Sequence, residues 1–158
     1  MSENRVLIRA AEIDRLPAVT FRHPLNPASE IHPHALSALA GLERVGLYLG
    51  RVPPGRESFC YHSHQYEEEF VYILSGRGIA EIGNEEHEVG PGDAMLFTAP
   101  SVAHHLRNPF VEDLVYLMGG ERRGFDIGEF PRLGKRVIFD RRGAWIVTDG
   151  ALEPFTGR

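Results

Sequence analysis

A chain of 158 residues with 17 basic and 22 acidic side chains has a formal charge of −5, which offers no net positive field to nucleic acid or to an anionic membrane surface. It carries one cysteine, which rules out an internal disulfide, and no apolar run long enough to span a bilayer. The length suits one domain with a real core, because a chain of about 150 residues buries about two-thirds of its unfolded surface. The first residues lack the apolar centre of a signal peptide, so the expectation is a cytoplasmic protein whose partners are small molecules or other proteins.

In chain order, residues 1–40 read as an N-terminal arm. Pro24, Pro27 and Pro33 block regular pairing between Thr20 and Leu36, so this segment is expected to wrap the domain body or a neighbouring subunit irregularly. His32 and His34 flank one of these prolines and read as loop residues. From residue 41 to the end, short apolar runs such as VGLYLGRV, EEFVYILSG and GDAMLFTA alternate with glycine and proline breaks. That rhythm predicts an all-β barrel or sandwich. Gly83-Asn84, between Ile82 and Glu85, predicts a tight hairpin. The tail from Glu121 is more basic, and its WIVTD run predicts one further strand packed on the exterior.

Strand parity assigns faces. With Glu69 pointing inward, Val71 and Ile73 follow it, while Phe70, Tyr72 and Leu74 face out. Residues Leu114 to Met118 are apolar on both faces as well, so the outer side needs cover, and a homodimer is the expected source.

The chemistry concentrates in YHSHQYEEEFVYILSG, from Tyr61 to Gly76. His62 and His64 alternate along a strand and leave the same face, together with Cys60. Glu69 opens the next strand and can turn back toward them. Downstream, in VAHHLRN, His104 supplies a further imidazole, and by alternation His105 points outward with Arg107. Around these residues parity places Cys60, Val71, Ile73 and Leu106 as the pocket lining. This lining is apolar, and Arg51 is the one strand cation that could be nominated for a phosphate.

These residues resemble the two motifs of the cupin superfamily. Gly55, His62, His64, Glu69 and Gly76 match the first, with one extra residue after Gly55. Gly92, Asp93, Pro100, His104 and Asn108 match the second, with Pro100 displaced by one position and Ser101 where a turn glycine is common. The similarity runs from Gly46 to Met118, the motif-bearing core of a barrel spanning 41–158. The motif spacing selects Glu69 over Glu67 and Glu68, and His104 over His105. The resemblance implies a double-stranded β-helix, or jelly roll. It also implies one divalent transition metal per subunit (iron, manganese, nickel, cobalt or zinc) on His62, His64, Glu69 and His104.

Three imidazoles and a carboxylate suit such an ion and leave coordination positions open, whereas a closed structural zinc site would call for thiolates that one cysteine cannot supply. The expectation is therefore a metal-dependent enzyme acting on a small organic molecule, with dioxygenase-type, isomerase-type or decarboxylase-type chemistry. A non-catalytic binding or sensing protein and a sugar-phosphate isomerase are the alternatives. No general acid or base stands out.

Overall fold

Turn residues after position 40 cut the chain into segments too short and too rich in β-branched and aromatic residues for helices, and strands result. The structure, a computed structural model, describes residues 5–154. The described residues include two short α-helices, α1 (Ala10–Ile13) and α2 (Leu36–Ala40), and two single 3-10 turns at Pro131–Leu133 and Asp149–Ala151. The strands are β1 (His34–Ala35), β2 (Val45–Val52), β3 (Arg56–Glu57), β4 (Ser63–His64), β5 (Glu69–Ser75), β6 (Gly78–Ile82), β7 (Glu85–Val89), β8 (Ala94–Phe97), β9 (His104–Asn108), β10 (Leu114–Glu121), β11 (Asp126–Phe130), β12 (Lys135–Asp140) and β13 (Gly143–Thr148). Among the described residues no helix is long and apolar enough to cross a membrane.

All strand pairs are antiparallel and form three sheets, ordered β1-β2-β10-β5-β8, β3-β9-β6-β7 and β13-β12-β11-β4. The core lies where the first two sheets meet. Val52, Ile73, Leu114 and Tyr116 of the first pack with Ala80 and Leu106 of the second, and Ile31 of the arm joins them. On the outer side of the first sheet, Tyr72, Leu74 and Leu96 stay exposed, as alternation along β5 predicts. β6 and β7 meet through Gly83-Asn84, with Ile82 opposite Glu85.

Two motif positions serve the backbone. Gly76 ends β5 at φ +74°, and a Cβ there would lie 2.0 Å from the carbonyl oxygen of Asp113, so no larger residue fits. Asn108 is buried. Its amide donates to the carbonyls of Val52 (2.9 Å) and Glu112 (2.7 Å), and its Oδ1 accepts from the N–H of Phe110 (3.0 Å).

The arm lies against its own chain. Phe21 and Ile31 pair, Ser29 bridges to Glu57, and Asn26 donates to the carbonyl of Phe59. The tail holds more than the one strand its composition suggests. β11, β12 and β13 form a meander, and β11 pairs with β4 through Gly128 and His64.

Candidate metal centre

Four backbone elements bring the motif residues together. Glu69 is the first residue of β5, beside Phe97 of β8 and Gly120 of β10. His104 opens β9 opposite Ile82, and an isolated bridge pairs it with His62. His64 ends β4, where Ser101 clamps its backbone twice. The Ser101 hydroxyl accepts the His64 N–H at 2.8 Å, and the Ser101 N–H donates to the His64 carbonyl at 2.8 Å. The serine that stands where a turn glycine is common thus fixes the position of His64.

Each imidazole is held by its Nδ1. That atom donates to the carbonyl of Cys60 from His62 (2.7 Å), to the carbonyl of Val102 from His104 (3.0 Å), and to the carboxylate of Asp126 from His64 (2.5 Å). Since these acceptors have no proton to give, Nδ1 carries the hydrogen in all three rings, and Nε2 is the atom turned to the cluster, with a free lone pair whenever the ring is neutral. The Nε2 atoms then converge on Glu69, at 3.8 Å from Oε1 for His62 and 3.6 Å from Oε2 for His64, with His104 Nε2 in direct contact with Oε1. Phe97 stacks on the His104 ring with centroids 3.7 Å apart and blocks its rotation.

His62, Glu69 and His104 form a group able to hold a metal ion, their ligand atoms all lying within 4.8 Å of one another. His64 approaches the same carboxylate from the side. The donor set fits a cation in a second respect. Glu69 Oε1 is buried and accepts no hydrogen bond, although a buried carboxylate oxygen ordinarily has a donor. Electrostatics point the same way. Burial and the neighbouring His104 push His62 down to about 3, so its ring stays neutral. Burial alone would raise Glu69, but His104, His62 and His64 outweigh it and hold the carboxyl below its ordinary range.

The cluster opens onto a cavity of about 550 Å³ walled by Phe21, Ile31, Phe59, Met95 and Phe97, among others, and no lysine or arginine among the described residues lines it. Val71 and Leu106 line it as parity predicts. Two other pocket assignments need correction. Ile73 points inward but is fully buried in the core below the cavity floor. Cys60 lies in an irregular stretch before β4, so strand alternation does not apply to it. It packs on Leu25, Phe130 and Val137, its Sγ sits 3.3 Å from His23 Nδ1, and it borders a separate polar cavity. His105 turns away from the cluster, yet it is buried rather than solvated, 3.5 Å from Glu57 and 3.9 Å from Glu81. Arg51 pairs with Asp113 at the surface, outside the cavity.

Sequence reasoning missed three residues. Asp126, which is 1% exposed, orients His64 and also accepts from the N–H of Tyr66. It lies 62 residues beyond His64, and no motif marks it. His23 of the arm lines the cavity, and its Nδ1 accepts from the N–H of Leu25. Tyr116 of β10 also faces the cavity.

The fold is all-β, and a histidine and glutamate cluster that could hold a metal faces its apolar cavity. The cupin domain family matches residues 48–120. A crystal structure from Acidithiobacillus ferrooxidans, provisionally described as a sugar phosphate isomerase, is similar at 33% identity and TM-score 0.90, covering 96% of this chain and 97% of that one. A sugar phosphate isomerase from a cupin superfamily, from Silicibacter pomeroyi, is similar in fold at TM-score 0.78 and 23% identity, covering 88% and 90%. An uncharacterised protein of Methanocaldococcus jannaschii is 39% identical over 57 residues, which is 36% of this chain and 44% of that protein, so the match spans less than half of this curated relative. The chain belongs to the cupin superfamily.

Proposed function

We propose that this cupin is a metal-dependent enzyme for a small, largely apolar organic molecule, with His62, His64, Glu69 and His104 holding one divalent transition metal per subunit. The observation that carries this reading is the convergence of three imidazoles, each held by its Nδ1, on the buried carboxylate of Glu69, with His62 and His104 facing Oε1 and His64 facing Oε2. A divalent ion on such ligands supplies Lewis-acid polarisation or oxygen chemistry, which covers dioxygenase, isomerase and decarboxylase reactions. The chain's own contribution is the cavity. Its volume suits a ligand of moderate size, and its walls are mainly aromatic and aliphatic, with the histidine and glutamate cluster among the polar groups that face it.

The similar protein from Acidithiobacillus ferrooxidans supports a second reading, a sugar-phosphate isomerase. The cavity counts against it, because a phosphate dianion calls for a cationic or backbone-amide cradle and no lysine or arginine among the described residues lines it. Elemental analysis of protein purified without a tag or chelator tests the metal. Near-stoichiometric metal that drops in His104→Ala and Glu69→Gln supports the site, and wild-type protein that takes up none of the five candidate ions overturns it. Turnover of apolar carbonyl or phenolic substrates by the loaded protein supports the enzyme. Saturable binding without turnover favours a sensing role, and turnover of sugar phosphates alone favours the isomerase.

A further inference from the structure

Tyr116 is the bulkiest fully buried side chain among the described residues, at 1% exposure, and its hydroxyl has no hydrogen-bond partner in the protein. It lies on the inward face of β10 and lines the cavity that also holds the histidine cluster. The ring is seated over Gly50 of β2, its direct cross-strand partner, where a Cβ would lie 2.7 Å from ring carbons and 3.0 Å from the hydroxyl oxygen. Glycine at that site makes room for the phenol, and the packed ring cannot swing away to find a partner elsewhere. Burial pushes its ionisation upward, so the group stays a neutral O–H donor.

Buried tyrosine hydroxyls are ordinarily paired, and phenylalanine would fill the same volume without stranding a donor. We infer that Tyr116 is a specificity-determining ligand contact, donating a hydrogen bond to a neutral acceptor, a carbonyl or ether oxygen, on an apolar molecule bound in the cavity. The inference rests on the apolar-ligand reading above and narrows it to molecules that carry an acceptor oxygen on a hydrocarbon or aromatic body.

The test compares two probes of nearly the same shape, acetophenone and α-methylstyrene, of which only the first has an acceptor oxygen. Their dissociation constants are measured by ligand-observed NMR on the full-length protein, as isolated and after chelator treatment, for wild type and Tyr116→Phe. Wild type should favour acetophenone by about threefold to tenfold, the range of one neutral hydrogen bond. The variant should lose that preference while binding α-methylstyrene as well as wild type does, with and without metal. A preference that survives in Tyr116→Phe, a wild type with no preference, or a cavity that admits neither probe overturns the proposal. Because chelator-treated protein is included and metal content is assayed separately, failure here is distinguishable from failure of the metal site.

Discussion

His62 and His64 stand two residues apart and meet protons in opposite ways. His62 is held at about 3 by burial and by the facing His104, so no proton competes for its Nε2 at neutral pH. For His64, burial pulls downward, but the hydrogen bond to Asp126 and the charges of Glu69, Asp126 and Glu67 outweigh it, and the ring ends above its ordinary 6.5. In the metal-free protein this group contributes stability that is fully present below the unfolded value and is lost as pH rises through the folded one. A metal must displace that proton from Nε2. Affinity should therefore fall about tenfold per pH unit below the raised value and level off above it. Asp126→Asn should move that limb to lower pH and reduce the plateau affinity about 10-fold to 100-fold, as expected when the partner orienting a ligand is lost. Competition with a chromophoric chelator between about pH 5.5 and 8.5 reads both effects. An unshifted limb would assign the proton to another group.

At the level of strands, how far the sequence could be read depended on whether the chain is regular. In β5 alternation holds from Glu69 to Leu74, where the register with β10 shifts, so the inward set Glu69, Val71 and Ile73 and the outward set Phe70, Tyr72 and Leu74 could be assigned from sequence alone, and Tyr72 and Leu74 are exposed. Depth along the barrel could not, which is why Ile73 belongs to the core and not to the cavity wall. Before β4 the chain is bent and only Ser63–His64 is extended, so parity misplaced Cys60. Asp126 escaped notice for another reason. It reaches His64 from a strand added by the tail, and pairing between elements so distant in sequence leaves no local pattern. Asn108 shows what the second motif does at this level. It ties the end of β9 to β2 and to the loop before β10 through three hydrogen bonds, none of which touches the metal cluster. Asn108→Ala should cost about 2–4 kcal/mol in denaturant unfolding, since buried backbone groups lose their partners. The refolded variant should still bind metal at wild-type stoichiometry, and loss of metal from a folded variant would place Asn108 in the site.

The exposed Tyr72, Leu74 and Leu96 on the outer face of the first sheet bear on assembly. A homodimer covering that face should sediment as a dimer at micromolar concentration and dissociate in Leu96→Glu, whereas a monomeric wild type would leave the face to solvent. The cluster bears on folding. Its ligands come from β5 in the first sheet, β9 in the second and β4 in the third, so an ion held there cross-links all three. The core between the first two sheets contains none of these ligands, and Val52, Ile73 and Leu114 are fully buried without them. Metal should accordingly add stability by mass action without being required for the fold. At an ion concentration about a hundredfold above Kd the gain is about 2.7 kcal/mol, or roughly 5–10 °C in Tm for a chain of this size. Chelation should remove that increment while the far-UV circular dichroism stays β-rich. Collapse of the β signal on chelation would mean that the ion organises the sheets, and would shift the role of the histidine cluster from chemistry to structure.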